Sequence, residues 1–92
     1  MTAAEPVEMY GRDFQHVKPG TPLTDREREV LDLVSRGCTN AVVGARIYLS
    51  EDVVKTILRA IYVRLAVRDR AHAVRRGFEL GLLTPDREDV AP

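Results

Sequence analysis

Ninety-two residues, 45% of them hydrophobic and 30% charged, leave room for one soluble domain and exclude a disordered or membrane-embedded chain. Fourteen basic and fourteen acidic side chains cancel, and no apolar run approaches the roughly 20 residues of a membrane span. A lone cysteine, Cys38, rules out an internal disulfide and agrees with a reducing, cytoplasmic setting; with His16 and His72 it has no metal-ligand spacing, so no metal or other cofactor is expected.

Residues 1–20 carry three acids and two prolines without a steady period and read as a flexible arm. The opening MTAAEPVEMYGRDF lacks the basic start and apolar stretch of a secretory signal. A short ordered piece is expected around Tyr10–Phe14. Gly20 and Pro22 mark a boundary, and the domain is placed over 21–84. From Leu23 onward the period is helical, with no alternating strand-like run.

Thr24-Asp25-Arg26-Glu27 is a capping-box sequence: the hydroxyl accepts from a first-turn N–H while Glu27 reaches back. Glu27 is therefore read as structural, with a further partner among nearby arginines. Val30, Leu31 and Val34, joined by Leu33, form the inward stripe of this first helix, and Gly37 stops it. A second, short helix begins at Thr39 or Asn40 and carries Val42, Val43 and Ile47. Ser50 caps the third, whose first turn holds Glu51 and Asp52 to suit the helix dipole and whose end falls near Leu65. The fourth, capped by Asp69, runs from about Arg70 to Leu80 and closes at Gly81. Residues 85–92 are expected to be a loose tail. The fold class that results is all-α, a compact four-helix unit with a short N-terminal arm.

On a helical wheel, Val54, Leu58, Ile61 and Leu65 share one face of the third helix, with Tyr62 at its edge. The opposite face holds Asp52, Lys55, Thr56, Arg59 and Val63. A short-chained, cationic face can enter a major groove, where Lys or Arg reaches guanine and Thr or Val touches a thymine methyl; it can equally be a solvated surface. Charge bears on the choice. Between Lys55 and Arg76 seven basic residues face Asp69 alone, a local charge of +6 that points to a polyanion partner or to an unevenly charged surface. Two short helices joined by Leu49-Ser50, the second with an exposed cationic face, match the spacing of a helix-turn-helix.

These pieces carry a resemblance. LT-x-RE-x-EVL at 23–31, G-x-TN at 37–40, LS at 49–50, VK at 54–55, RL-x-VR-x-R at 64–70 and GLL at 81–83 together resemble the LuxR/FixJ/GerE-type helix-turn-helix DNA-binding domain, similar to the C-terminal domain of NarL-like response regulators. The resemblance implies a recognition helix at about 51–65 with base contacts from Lys55, Thr56 and Arg59. It implies contacts to the DNA backbone near Thr24, Asn40, Ser50, Arg64, Arg68 and Arg70, and a homodimer formed through the C-terminal helix.

The chain departs from the family pattern in several places. Ala41-Val42 stands where a polar pair is usual, Val53 where Thr is common, and Ile57 where His is common. Ala66 replaces the turn glycine, which is strained if the backbone there needs a positive φ. Val42, Ile57 and outward Val63 are expected to add apolar surface, and a protein partner, or the N-terminal arm through Tyr10 and Phe14, is expected to cover the patch near Val42. No nucleophile–base pair, carboxylate pair or phosphate-cradling loop points to an enzyme or a small-molecule substrate. The expected function is a sequence-specific, DNA-binding transcription regulator that lacks a receiver or ligand-sensing domain of its own and works on double-stranded DNA without a membrane. The alternative is a helix-turn-helix-derived module that binds RNA polymerase, a sigma factor or another regulator.

Overall fold

The computed structural model describes residues 17–85, so Tyr10, Phe14 and the tail from residue 86 lie outside the described residues. Four helices follow in order: α1 (Asp25–Ser35), α2 (Asn40–Ile47), α3 (Glu51–Leu65) and α4 (Arg70–Glu79). Each starts on the polar cap its sequence offers. Thr24 Oγ1 accepts the Glu27 N–H at 3.1 Å while Glu27 Oε1 accepts the Thr24 N–H at 3.1 Å, the reciprocal capping box. Thr39, Ser50 and Asp69 cap the other three through the side-chain oxygen alone, which accepts the N–H of Val42, Val53 and His72. At the far end of α1, Cys38 N–H bonds the Leu33 carbonyl and Gly37 N–H the Val34 carbonyl, with Gly37 at φ +91°. That is a Schellman motif, and it turns the chain directly into α2.

α3 is the central rod. It packs against α1, α2 and α4, which explains why its buried stripe is wider than the wheel predicts. Val54, Leu58, Ile61 and Leu65 are buried as expected, and Ile57 and Ala60 join them. Ile57 is therefore corrected from outward apolar surface to core. It lies three residues after Val54 and one before Leu58, on the flank of a helix that has neighbours on three sides. Val30, Leu31, Val34, Val43, Ala73 and Leu83 fill the rest of the core. No helix among the described residues is long and apolar enough to cross a membrane.

The arm expected over 1–20 gives up its last residues to the body. Val17 is buried in the core, and the Gly20 N–H donates to the Arg64 carbonyl at 2.9 Å. Residues 17–20 are thus packed against the end of α3.

Two left-handed residues that are not glycine close helices here: Tyr48 after α2 at φ 62° and Ala66 after α3 at φ 58°. At the second, Val67 N–H bonds the Tyr62 carbonyl and Ala66 N–H the Val63 carbonyl, the same motif as at Gly37 but built on alanine. The left-handed region costs an L-residue about 1–2 kcal/mol through its Cβ. Ala66 is exposed, so removing that methyl leaves no cavity. Ala66→Gly is expected to stabilise the domain by about 1 kcal/mol in urea unfolding, the gain being partly offset by a looser unfolded chain.

Candidate nucleic-acid interface

Three elements meet on one side of α3: its outward face, the N-terminus of α2, and the connection into α4. Lys55 and Arg59 stand exposed one turn apart on α3, with half-buried Thr56 beside Lys55. The Thr56 hydroxyl donates to the Asp52 carbonyl at 3.1 Å, which turns its methyl outward from the helix backbone. Val63, at 38% exposure, continues this face toward the C-terminal end. The side that the wheel places opposite the core is thus the more exposed one. Ser50 is exposed at the start of α3 and its Oγ accepts the Val53 N–H at 3.2 Å.

Arg70 and Asn40, thirty positions apart, are bonded to each other. Arg70 Nη1 donates to Asn40 Oδ1 at 2.7 Å and Nη2 to the Cys38 carbonyl at 2.6 Å. The first residue of α4 is thereby fastened to the first turn of α2. No signal within the local sequence reports this pairing, because each residue also has an ordinary cap-region role. Both keep donors for a further acceptor: the Asn40 side-chain NH₂ and the remaining N–H groups of a guanidinium that carries five. An open cavity of about 350 Å³ lies at this junction, lined by Gly37, Cys38, Thr39, Asn40, Glu51 and Arg70. Nearby Tyr62 has its phenol pKa raised, chiefly by burial, with Arg70 working against the shift and Asp69 adding to it.

Arg64 is elsewhere. Its side chain is buried, with Nε donating to the Glu27 carboxylate at 2.9 Å to Oε1 and 3.2 Å to Oε2, and Nη1 donating to Thr21 Oγ1 at 2.9 Å. A guanidinium closed into the body cannot reach a phosphate, so the expected backbone contact at Arg64 is withdrawn. Glu27 gains the arginine partner expected of it. Thr24 likewise has its hydroxyl engaged in the cap of α1.

The charge tally changes with these partners. Arg75 and Arg76 both reach Glu79 at 3.0 Å, and their hydrogen bonds, Arg76 first, hold that carboxyl below the usual carboxylate range. Of the seven basic side chains between Lys55 and Arg76, Arg64, Arg75 and Arg76 are matched by carboxylates. Lys55 and Arg59 on α3, Arg70 at the start of α4 and exposed Arg68 on the α3–α4 connection are the remaining basic side chains of the stretch.

A model of "Bacterial regulatory proteins, luxR family" matches residues 21–76, more than half of the chain. The chain belongs to this family. Among its relatives, the transcriptional regulatory protein DegU of Brevibacillus brevis is 35% identical over 77 residues, 84% of this chain and 33% of the relative. The probable transcriptional regulatory protein NarL of Mycobacterium tuberculosis is 37% identical over 76 residues, 82% of this chain and 35% of the relative. The HTH-type transcriptional regulator AlkS of Pseudomonas putida is 33% identical over 66 residues, 72% of this chain but 8% of that protein. The chain thus spans about a third or less of the length of these relatives. LuxR-family membership accounts for the helix-turn-helix built by α2, the Tyr48–Ser50 turn and α3.

The Arg70–Asn40 bond gives a structural prediction separate from any ligand. Asn40→Ala removes one acceptor from a half-buried guanidinium and is expected to lower stability by about 1–2 kcal/mol. Arg68→Ala, at an exposed site, is expected to leave the melting curve within about 0.5 kcal/mol of the wild type. Equal melting of the two variants would show the bond to be idle.

Proposed function

We propose that this luxR-family domain binds double-stranded DNA sequence-specifically by laying α3 in a major groove, with Lys55, Thr56 and Arg59 against the bases. The observation that carries this is the exposure of Lys55 and Arg59 one turn apart on the outer face of a helix buttressed on three sides. The side chain of Lys or Arg matches guanine O6 and N7, and the outward methyl of Thr56 suits a thymine methyl. Phosphate contacts come from Arg68, from the spare donors of Asn40 and Arg70, and from the exposed hydroxyl of Ser50. Thr24 contributes through its position at the start of α1 rather than through a free hydroxyl. The N–H groups in the first turn of α2 add a favourable dipole to the same phosphate. Glu51 on the rim of that cavity opposes it, so part of the affinity gained by Arg70 is offset.

A homodimer through α4 completes the reading. Phe78 at 40% and Leu80 at 49% exposure place apolar surface at the C-terminal end of this helix, and two copies would set two recognition helices against two half-sites about one helical turn apart. Cytoplasmic regulation of transcription follows from such an activity. A second reading, a protein-binding module for RNA polymerase, a sigma factor or another regulator, is favoured by one observation: Val42 at 41% and Tyr48 at 92% exposure leave large apolar side chains on the helix-turn-helix itself. Retention on heparin and a gel shift with random duplex at low salt support the first reading; absence of both supports the second.

Selection of bound oligonucleotides from a random pool supplies the site. On that site, Lys55→Ala and Arg59→Ala are each expected to cost about 1–3 kcal/mol and to relax preference at one base position. Arg68→Ala is expected to weaken binding to every sequence alike and to reduce the slope of log K against log salt by about one. Specific binding that survives the Lys55→Ala/Arg59→Ala double replacement would remove α3 from the groove.

A further inference from the structure

Of the three arginines of the basic stretch that the proposed interface leaves unused, Arg64 is the buried one, and its contacts are unusually convergent. Its carbonyl accepts the Gly20 N–H at 2.9 Å. Its Nη1 donates to Thr21 Oγ1 at 2.9 Å and to the Pro22 carbonyl at 3.4 Å, and its Nε donates to the fully buried Glu27 carboxylate. Thr21 in turn donates its hydroxyl to the Lys18 carbonyl at 2.6 Å. One side chain in the last turn of α3 therefore gathers the segment entering the domain, the cap of α1 and the end of α3 itself.

We propose that Arg64 is a positioning residue for DNA recognition: it fixes the tilt and rotation of α3, and so sets sequence specificity without touching DNA. This rests on the reading that α3 enters the groove. Arg59 and Lys55 lie five and nine residues before Arg64 on the same helix, about 7 and 13 Å away at 1.5 Å per residue. A tilt of roughly 10° about the Arg64 end displaces them by about 1–2 Å. Such a shift defeats bidentate base contacts, which demand fixed geometry. Phosphate contacts survive it, because long side chains on a uniformly charged backbone can follow. Losing Arg64 therefore separates specificity from affinity, whereas losing a phosphate ligand does not.

The experiment uses the full chain, its selected duplex and a scrambled duplex, each titrated across salt. Glu27→Gln/Arg64→Met exchanges the pair for neutral side chains of similar volume and leaves net charge unchanged. Arg64→Lys keeps the charge but loses the planar fork that spans Glu27, Thr21 and Pro22. The double replacement is expected to cut the ratio of selected to scrambled affinity about tenfold, the equivalent of one mismatched base pair, with the salt slope unchanged. Arg64→Lys is expected to recover part of that ratio. An unaltered ratio overturns the proposal, as does a slope lower by one unit with both duplexes weakened alike, the signature of a phosphate ligand. Circular dichroism reports whether the double replacement folds; if it does not, Arg64→Lys and Thr21→Val decide by the same two readouts, a reduced ratio at constant slope supporting the proposal and an unchanged ratio overturning it. A wild-type chain with no preference among duplexes would fell the groove reading itself, and this proposal with it; a specific wild type with indifferent variants would fell only the positioning role.

Discussion

A carboxylate with no exposure to water sits at the start of α1, and most of the architecture is arranged around satisfying it. Burying Glu27 and Arg64 together costs several kcal/mol of desolvation per ion, which their attraction offsets only when every remaining donor and acceptor is also matched. They are matched: Glu27 Oε1 accepts from the Thr24 N–H as well as from Arg64 Nε, and Arg64 Nη1 donates to Thr21 Oγ1 and the Pro22 carbonyl. No buried side-chain polar atom among the described residues lacks a partner. Directionality is what such a pair adds over an apolar contact of equal volume. Leucines offer no directional bond between α3 and α1, whereas Arg64 Nε donates to the Glu27 carboxylate in one defined geometry.

The same pair helps explain how a chain of zero net charge can present a cationic surface. Carboxylates match the arginines that do not serve the outward face: buried Glu27 for Arg64, and surface Glu79 for Arg75 and Arg76. Two more, Asp32 and Glu29, sit beside arginines of α1 itself, at Arg36 and Arg26. On α3 itself the acids are Glu51 and Asp52, both in its first turn, where the helix dipole favours them. Total charge therefore says little about the field near Lys55, Arg59, Arg68 and Arg70. The local distribution says more, and it becomes informative only once intramolecular partners have been subtracted.

Local chemistry was legible in the sequence and long-range pairing was not. Caps and stops are decided by residues within four positions of one another, and Thr24, Ser50, Asp69, Gly37 and Gly81 act where the pattern puts them. The outward position of Lys55 and Arg59 also follows from period alone. The errors share one cause. Ile57 is expected outward from the family pattern, which commonly has His there, and it is buried because α3 has neighbours on three sides. Arg64 looked like one more surface cation because nothing within its own helix distinguishes it from Arg59. Its partner Glu27 is 37 positions away. Asn40 and Arg70 escaped notice as a pair for the same reason.

The turn between α2 and α3 shows how little freedom the presenting helix has. Gly44 is buried in α2, and a Cβ there would overlap the carbonyl oxygen of Leu49. The Leu49 N–H bonds back to the Gly44 carbonyl at 2.9 Å. The chain therefore folds over the glycine at closer range than any side chain permits, and Tyr48 must take the left-handed conformation to make the corner. That strain is of order 1–2 kcal/mol, and it is carried at a residue whose side chain is almost wholly in solvent, so packing at that residue does little to repay it. It persists because both flanks over-determine it: α2 is held by the Asn40–Arg70 bond at its far end, and α3 by Arg64 at its own. α2 is thus tied at its start to α4, and α3 at its end to α1 and the segment before it, with the strained corner between them. On the proposed reading, in which α3 meets base edges, ties of this kind would confine the ordering entropy of binding to the exposed side chains themselves.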